Sequence, residues 1–276
     1  MEIRIVKSAG FCFGVKRAVD MAFKAAEENK GQVCTYGPII HNPQVVEKLK
    51  AAGVAPVDEI DSNVKNILIR THGISYELHE DLKTKNINII DATCPFVKKA
   101  QQYAKLLKQE GYQIIILGDE KHPEVVGIRS YAGQEAIVVK DPQQLPRLKT
   151  RVGVVVQTTQ PVEALQRLLS EIIKTARELK VYNTICNSTA NRLKETEALA
   201  KEVDVMLVIG GRNSANTNQL ARRCEAIGVK TYHIESAEEL APEWFRGVKV
   251  VGVTAGASTP DWIIKEVIEK LKGFGS

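Results

Sequence analysis

Three cysteines stand at the same place in three copies of one pattern, and this repeat limits the fold of the chain more than any other feature. Each copy opens with a short β-rich run, at residues 3–6, 87–90 or 179–182, and Cys12, Cys94 or Cys186 follows. An amphipathic helix comes next, with apolar side chains at steps of three and four. They are Val15, Val19, Ala22, Phe23 and Ala26 in the first copy and Phe96, Ala100, Tyr103, Ala104 and Leu107 in the second. A weaker set in the third is Leu193, Leu199, Ala200 and Val203. Then a strand ends in a polar loop: 32–36 into 37–43, 113–117 into 118–124, and 205–209 into 210–217. His41, His122 and Ser214 in these loops follow their cysteines by 29, 28 and 28 residues. After a further helix, a last strand again ends in a polar loop that holds His72, Thr158 or Ser258.

Strands alternating with helices imply parallel sheets joined by right-handed crossovers. Ligands of such sheets bind at the carboxyl ends of the strands, where every one of these loops falls. The expected architecture is α/β, with three pseudo-threefold domains and mostly parallel sheets arranged as a trefoil around a central cavity. The domains are expected at 12–93, 94–185 and 186–276.

Three thiols from three units would make one metal site. Cys12 lies in Ala9-Gly10-Phe11-Cys12-Phe13-Gly14-Val15-Lys16-Arg17, where the start of a helix and two cations favour a thiolate. Three such ligands suit an iron–sulfur cluster with one iron left open, or a zinc ion; buried structural cysteines are the remaining reading. Cys34 and Cys224, inside a strand and a helix, read as core residues. His41, His72 and His122 in strand-end loops, with Ser214, Asn216 and Ser258, supply donors suited to phosphate oxygens. His79 and His233 read as structural or solvated, His233 in a turn. Glu124, placed in the loop after His122-Pro123, is the candidate acid, and the Thr158 and Thr159 hydroxyls are candidate relays. His122-Pro123-Glu124 also matches the H-x-E element of zinc deaminases, but the C-x-x-C that those enzymes need is missing from the sequence.

Composition narrows the classes further. The net charge of +5 is spread along the chain, without a basic block, and aromatics make up 5%. This argues against a nucleic-acid surface and fits a field that favours small anions. No apolar run approaches a membrane span, and no signal peptide is evident, so a cytoplasmic protein is expected. Walker and G-x-G-x-x-G loops are missing from the sequence, so electrons for a redox reaction would come from a protein partner.

The motifs taken together resemble the 4-hydroxy-3-methylbut-2-enyl diphosphate reductase family, the last step of the methylerythritol phosphate route to isoprenoids. They are residues 9–15, Gly37-Pro38-Ile39-Ile40-His41-Asn42-Pro43, Arg70-Thr71-His72-Gly73, Asp91-Ala92-Thr93-Cys94-Pro95, Gln157-Thr158-Thr159 and Val253-Thr254-Ala255-Gly256-Ala257-Ser258. The resemblance runs essentially end to end. It implies a [4Fe-4S] cluster held by Cys12, Cys94 and Cys186, with one open iron that binds the substrate hydroxyl. It implies diphosphate binding by His41, His72, His122, Ser214, Asn216 and Ser258, and proton delivery by Glu124 with Thr158 beside it. It further implies that residues 1–11 dock on the third domain, that ferredoxin or flavodoxin donates electrons, and that the chain works as a monomer or homodimer. The products would be isopentenyl and dimethylallyl diphosphate. Ala215 departs from the family pattern, in which many members have a second serine there.

Overall fold

The computed structural model describes residues 1–61, 63–141 and 145–274. Its strands form three four-stranded sheets, parallel throughout. The first contains β2 (Val33–Tyr36), β3 (Val54–Val57), β4 (Asn66–Ile69) and β5 (Asn88–Asp91), in the order β3-β2-β4-β5. The second contains β6 (Gln113–Leu117), β7 (Ile137–Val139), β8 (Arg151–Val156) and β9 (Glu178–Val181), in the order β7-β6-β8-β9. The third is β11-β10-β12-β1, from β1 (Glu2–Ile5), β10 (Val205–Ile209), β11 (Lys230–Ile234) and β12 (Val250–Ala255). All three sheets follow one rule. The strand at one edge is the one that leads into a cysteine: β5 into Cys94, β9 into Cys186, and β1 into Cys12. Because β1 pairs with β12, Glu2 opposite Val250, the last sheet takes its lead strand from the start of the chain.

The central strands are continuous apolar runs because both their faces are covered. In β6, Ile114 and Ile116 meet Ala100, Ala104 and Leu107 of α4 (Pro95–Gln109) and Val125 and Ile128 of α5 (Pro123–Ala132). Ile115 and Leu117 meet Leu165, Leu168 and Ile172 of α6 (Val162–Ile172) on the opposite face. Each of these four β6 side chains is at most 4% exposed. Each contributes about 1.5–3 kcal/mol, which makes the strand ends a firm platform for the loops they carry. The third sheet has the same layering. Leu207 and Ile209 of β10 pack on Ile263, Val267 and Leu271 of α9 (Asp261–Gly273). Met206 and Val208 pack on Leu193 of α7 (Asn187–Ala200) and on Leu220 and Cys224 of α8 (Ala215–Ile227).

By its contacts the chain divides into two compact units: Met1–Lys16, Ile40–Lys48 and Asn187–Ser276 form one, and Arg17–Ile39 with Leu49–Cys186 the other. The third sheet lies in the first of these units and the other two sheets in the second. Two local expectations change. Val203 lies beyond the end of α7, and His233 lies within β11, opposite Val208 in register, with its Nε2 2.8 Å from the Gly210 carbonyl. The β-branched Thr231 and Ile234 around His233 extend the strand through it.

One turn admits only glycine. Gly53, which precedes β3, has φ +90°, and a Cβ there would lie 2.3 Å from the Gly31 Cα. Gly53→Ala is therefore expected to destabilise the protein by more than about 2 kcal/mol, through both left-handed strain and a backbone clash. Urea unfolding, read as a lower midpoint at unchanged slope, checks this.

Candidate functional site

Every candidate residue lies just past the carboxyl end of a strand, and each cysteine amide is tied to the loop after the neighbouring strand. Cys94 N donates to Thr71 O at 3.0 Å, after β4. Cys186 N donates to Thr158 O at 2.8 Å, after β8. Cys12 N donates to Ala257 O at 3.2 Å, after β12. Each cysteine also stands at the start of a helix. Cys94 is the N-cap of α4, Cys186 immediately precedes α7, and Cys12 precedes α1 (Phe13–Glu28), its Sγ accepting from Val15 N at 3.5 Å. Helix N-termini favour a negative sulfur, so the three positions fit thiolate ligands. The other two cysteines do not. Burial, with the charge of Asp61, raises the Cys34 thiol pKa, and burial pushes that of Cys224 to about 12.

In the unit that holds the first two sheets, the Cys94 turn is braced from within. Asp91 Oδ1 accepts from Thr93 N at 2.9 Å, and Asp91 pairs with Lys98 at 2.6 Å. Burial works to raise the Asp91 pKa, but the bonds from Lys98 and Thr93 outweigh it and hold the carboxyl below its usual range. The Arg17 guanidinium donates to the Thr93 carbonyl at 3.3 Å. The His72 and His122 rings meet edge to face, 5.3 Å between centroids. His122 caps α5: its Nδ1 accepts from Glu124 N at 3.2 Å. In the neutral ring the proton is then on Nε2, which becomes a donor for an anion.

Glu124 occupies the first turn of α5, not a loop, because Pro123 suits the first helical position and His122 caps it. The residue is only 2% exposed, so its carboxyl is buried. Oε1 accepts from Thr158 N at 2.6 Å and Oε2 from Thr158 Oγ1 at 2.8 Å. Burial raises its pKa to about 7, against the lowering effect of those two bonds. A carboxyl with that pKa holds a proton near neutrality and can deliver it. Thr158→Val keeps the amide bond and removes the hydroxyl bond. It is therefore expected to raise the Glu124 pKa further, moving the alkaline limb of the pH–kcat profile upward by about one unit.

In the other unit, Ser214 caps α8, its Oγ accepting from Thr217 N at 3.3 Å. Ser258 Oγ donates to the His41 carbonyl at 3.2 Å. A Cβ on Gly211 would lie 2.7 Å from that same carbonyl, so the His41 loop and the start of the Ser214 loop are in close approach. Asn216 Oδ1 accepts from Ala257 N at 3.0 Å. The Ala257 carbonyl in turn accepts from the Cys12 amide, so Asn216, Ala257 and Cys12 repeat the two backbone-amide links of Glu124, Thr158 and Cys186, without the added bond from the Thr158 hydroxyl.

This equivalence changes the alignment of the repeats. The cap that matches His122 and Ser214 is Asn42, whose Oδ1 accepts from Val45 N at 3.0 Å. His41 stands one residue ahead of it. The second helical positions are then Gln44, Glu124 and Asn216, of which only Glu124 is an acid, and Ala215 falls where the other two copies carry proline. The structure gathers Cys94, Cys186, His72, His122, Glu124 and Thr158 in one unit, and Cys12, His41, Ser214, Asn216 and Ser258 in the other. Asp91 and Ala257 brace the Cys94 and Cys12 turns, a role that their motifs contain but do not reveal.

A protein-family model described as LytB protein matches residues 3–272. The chain is 50% identical over 278 residues to the 4-hydroxy-3-methylbut-2-enyl diphosphate reductase of Geobacter sulfurreducens, covering 99% of this chain and 98% of that protein. It is also 50% identical to the reductase of the same name from Pelobacter propionicus, covering 98% of each. A solved structure of (E)-4-hydroxy-3-methyl-but-2-enyl diphosphate reductase, described as the terminal enzyme of the non-mevalonate pathway, is 46% identical. It covers 99% of this chain and 100% of its own, with a TM-score of 0.74. The E-1-hydroxy-2-methyl-but-2-enyl-4-diphosphate reductase of Plasmodium falciparum shares the fold, with a TM-score of 0.92 at 24% identity over 98% of this chain and 88% of its own. Matched by the family model over nearly its whole length, the chain belongs to the LytB family.

Proposed function

We propose that this chain is the oxidoreductase that converts 4-hydroxy-3-methylbut-2-enyl diphosphate to isopentenyl and dimethylallyl diphosphate, in isoprenoid biosynthesis. The reaction takes two electrons and two protons. The carbon–oxygen bond of the allylic alcohol breaks, one proton leaves with the oxygen as water, and the other goes to carbon. The observation that carries the reading is the buried Glu124 carboxyl. Its two bonds from Thr158 and its pKa of about 7 suit it to give up the first of those protons.

Cys12, Cys94 and Cys186 would hold a [4Fe-4S] cluster, and the helix start beside each thiol supports this. When bound, such a cluster supplies single electrons and Lewis acidity at an iron without a protein ligand. His41, His72, His122, Ser214, Asn216 and Ser258 bind the diphosphate. His122 uses Nδ1 as an acceptor, so its neutral ring carries the donor proton on Nε2; the Ser214 hydroxyl sits at the positive end of α8, and the Asn216 oxygen is engaged by Ala257, which leaves its NH2 group for a phosphate oxygen. The diphosphate anchor uses remote binding energy to orient the reacting end. A protonated Glu124 adds no repulsion to this anion. Thr158 holds the acid in place, and its hydroxyl gives the proton a path out.

The three domains are 12–93, 94–185 and 186–276, with 1–11 joining the last; one lead strand per sheet supports that division. Ferredoxin or flavodoxin supplies the electrons to a monomer or homodimer in the cytoplasm. Among the described residues no helix is long and apolar enough to cross a membrane. The test is the metal content and turnover of protein purified without oxygen. Iron and sulfide at about four per chain, with both products formed from reduced viologen, are expected. Colourless protein with about one zinc would overturn the reading.

A further inference from the structure

The exposed side of α4 carries a surface that the catalytic reading leaves unused. The helix holds four lysines and no acid between Pro95 and Gln109, and it starts at Cys94. Phe96, Lys99, Tyr103 and Leu106 follow one another at steps of three and four, so they form one stripe. The core side of the helix is already filled by Val97, Ala100, Ala104 and Leu107, yet Phe96 remains 41% exposed and Leu106 37%. Tyr103 stacks on Tyr182 with centroids 3.9 Å apart and planes within 6°. Tyr182 directly follows β9, on the segment that runs to Cys186. The stripe therefore joins the backbone leading to two of the three thiols within one compact unit. Lys98 is engaged by Asp91 and Lys180 by Glu110, whereas the Lys99 ammonium lies 5.7 Å from the Tyr103 ring centre and makes no ion pair among the described residues.

Exposed aromatic and apolar groups beside unopposed positive charge are the composition of a recognition patch for an acidic protein. An electron donor must also come close to the thiols, and the helix that starts at Cys94 offers that approach. We infer that the Phe96–Lys99–Tyr103–Leu106 stripe is the docking face for a small acidic one-electron carrier protein. The inference rests on the reductase reading.

Two donors separate the docking face from the chemistry. Anaerobic holoenzyme is assayed with reduced methyl viologen, which needs no docking face, and with a plant-type ferredoxin kept reduced by its NADPH-dependent reductase. Lys99→Glu is expected to raise the KM for ferredoxin about tenfold at low ionic strength and to flatten its salt dependence. Phe96→Ser is expected to raise it by a similar factor. Viologen-driven turnover and iron content should match the parent in both variants. An unchanged ferredoxin KM overturns the proposal. So does an equal loss with both donors, or a parent that accepts electrons from viologen but none from ferredoxin. A parent with iron and sulfide but no viologen turnover would instead strike at the reductase reading itself.

Discussion

Glu124→Gln is expected to lower reductive turnover by about 10²–10⁴-fold, the usual contribution of a positioned acid, while making the fold more stable above neutral pH. The exchange keeps shape and bonding. The glutamine oxygen can accept from Thr158 N and its NH2 can donate to Thr158 Oγ1, in place of the bonds that the carboxyl makes at 2.6 and 2.8 Å. Only the transferable proton is lost. The stability effect follows from the pKa of about 7 in the fold against an ordinary value of 4.5. Below 4.5 the carboxyl is protonated in both the folded and unfolded chain, and its contribution to stability is fully present. Between 4.5 and 7 the unfolded chain releases the proton while the folded one keeps it, so stability falls as pH rises. Above 7 the loss is complete, at about 3 kcal/mol. Glutamine does not titrate, so the variant shows no such fall. Thermal unfolding of parent and variant at matched iron content should diverge between pH 5 and 8, by several degrees in favour of the variant. A gap independent of pH would mean that Glu124 is not held as a buried neutral acid. Turnover within tenfold of the parent would remove it as the proton source.

The parts of this fold that repeat are the parts a reader of the sequence can reach. The apolar run at Ile114–Leu117 and its counterpart at 205–209 identify strands buried on both faces, and the three cysteines give their spacing. Contacts between distant segments are a different matter. Thr158 lies 34 residues from Glu124, and nothing in the periodicity of either segment says that both donors of one meet both oxygens of the other. Capping is equally hidden. Counting from the cysteines pairs His41 with His122 and Ser214, but the first loop is longer, and Asn42 is the residue whose side chain closes the helix. With the caps aligned, Gln44, Glu124 and Asn216 become counterparts. Glu124 and Asn216 brace Cys186 and Cys12 through the same two-bond link, and Gln44 departs, its amide donating to the Glu235 carbonyl at 3.1 Å. His233 reads as a turn residue for a related reason. A polar residue beside an acidic turn reads as loop, and only its pairing with β10 makes it strand.

Cys186→Ser is the change expected to do the most damage with the least disturbance to the backbone. Serine is nearly the same size, and the Cys186 amide bond to the Thr158 carbonyl needs no sulfur. A serine hydroxyl, however, neither ionises in the accessible range nor offers the soft donor that iron–sulfur clusters take. Iron is expected to fall from about four per chain to below about one, the visible absorbance to disappear, and turnover to drop by more than about 10³-fold, while the far-ultraviolet circular dichroism stays that of the parent. Cys34→Ala and Cys224→Ala are the matched controls. Burial raises the pKa of both thiols, that of Cys224 to about 12, and Cys224 packs among Leu193, Met206, Val208 and Leu220 as an apolar side chain. Both variants should keep their iron, and Cys224→Ala should lose stability alone. Iron retained in Cys186→Ser, or lost to the same degree in either control, would break the assignment of ligands. Loss confined to Cys186, with Glu124→Gln keeping its full metal content, would separate the thiol that holds the cluster from the acid that works beside it, although one threonine binds both.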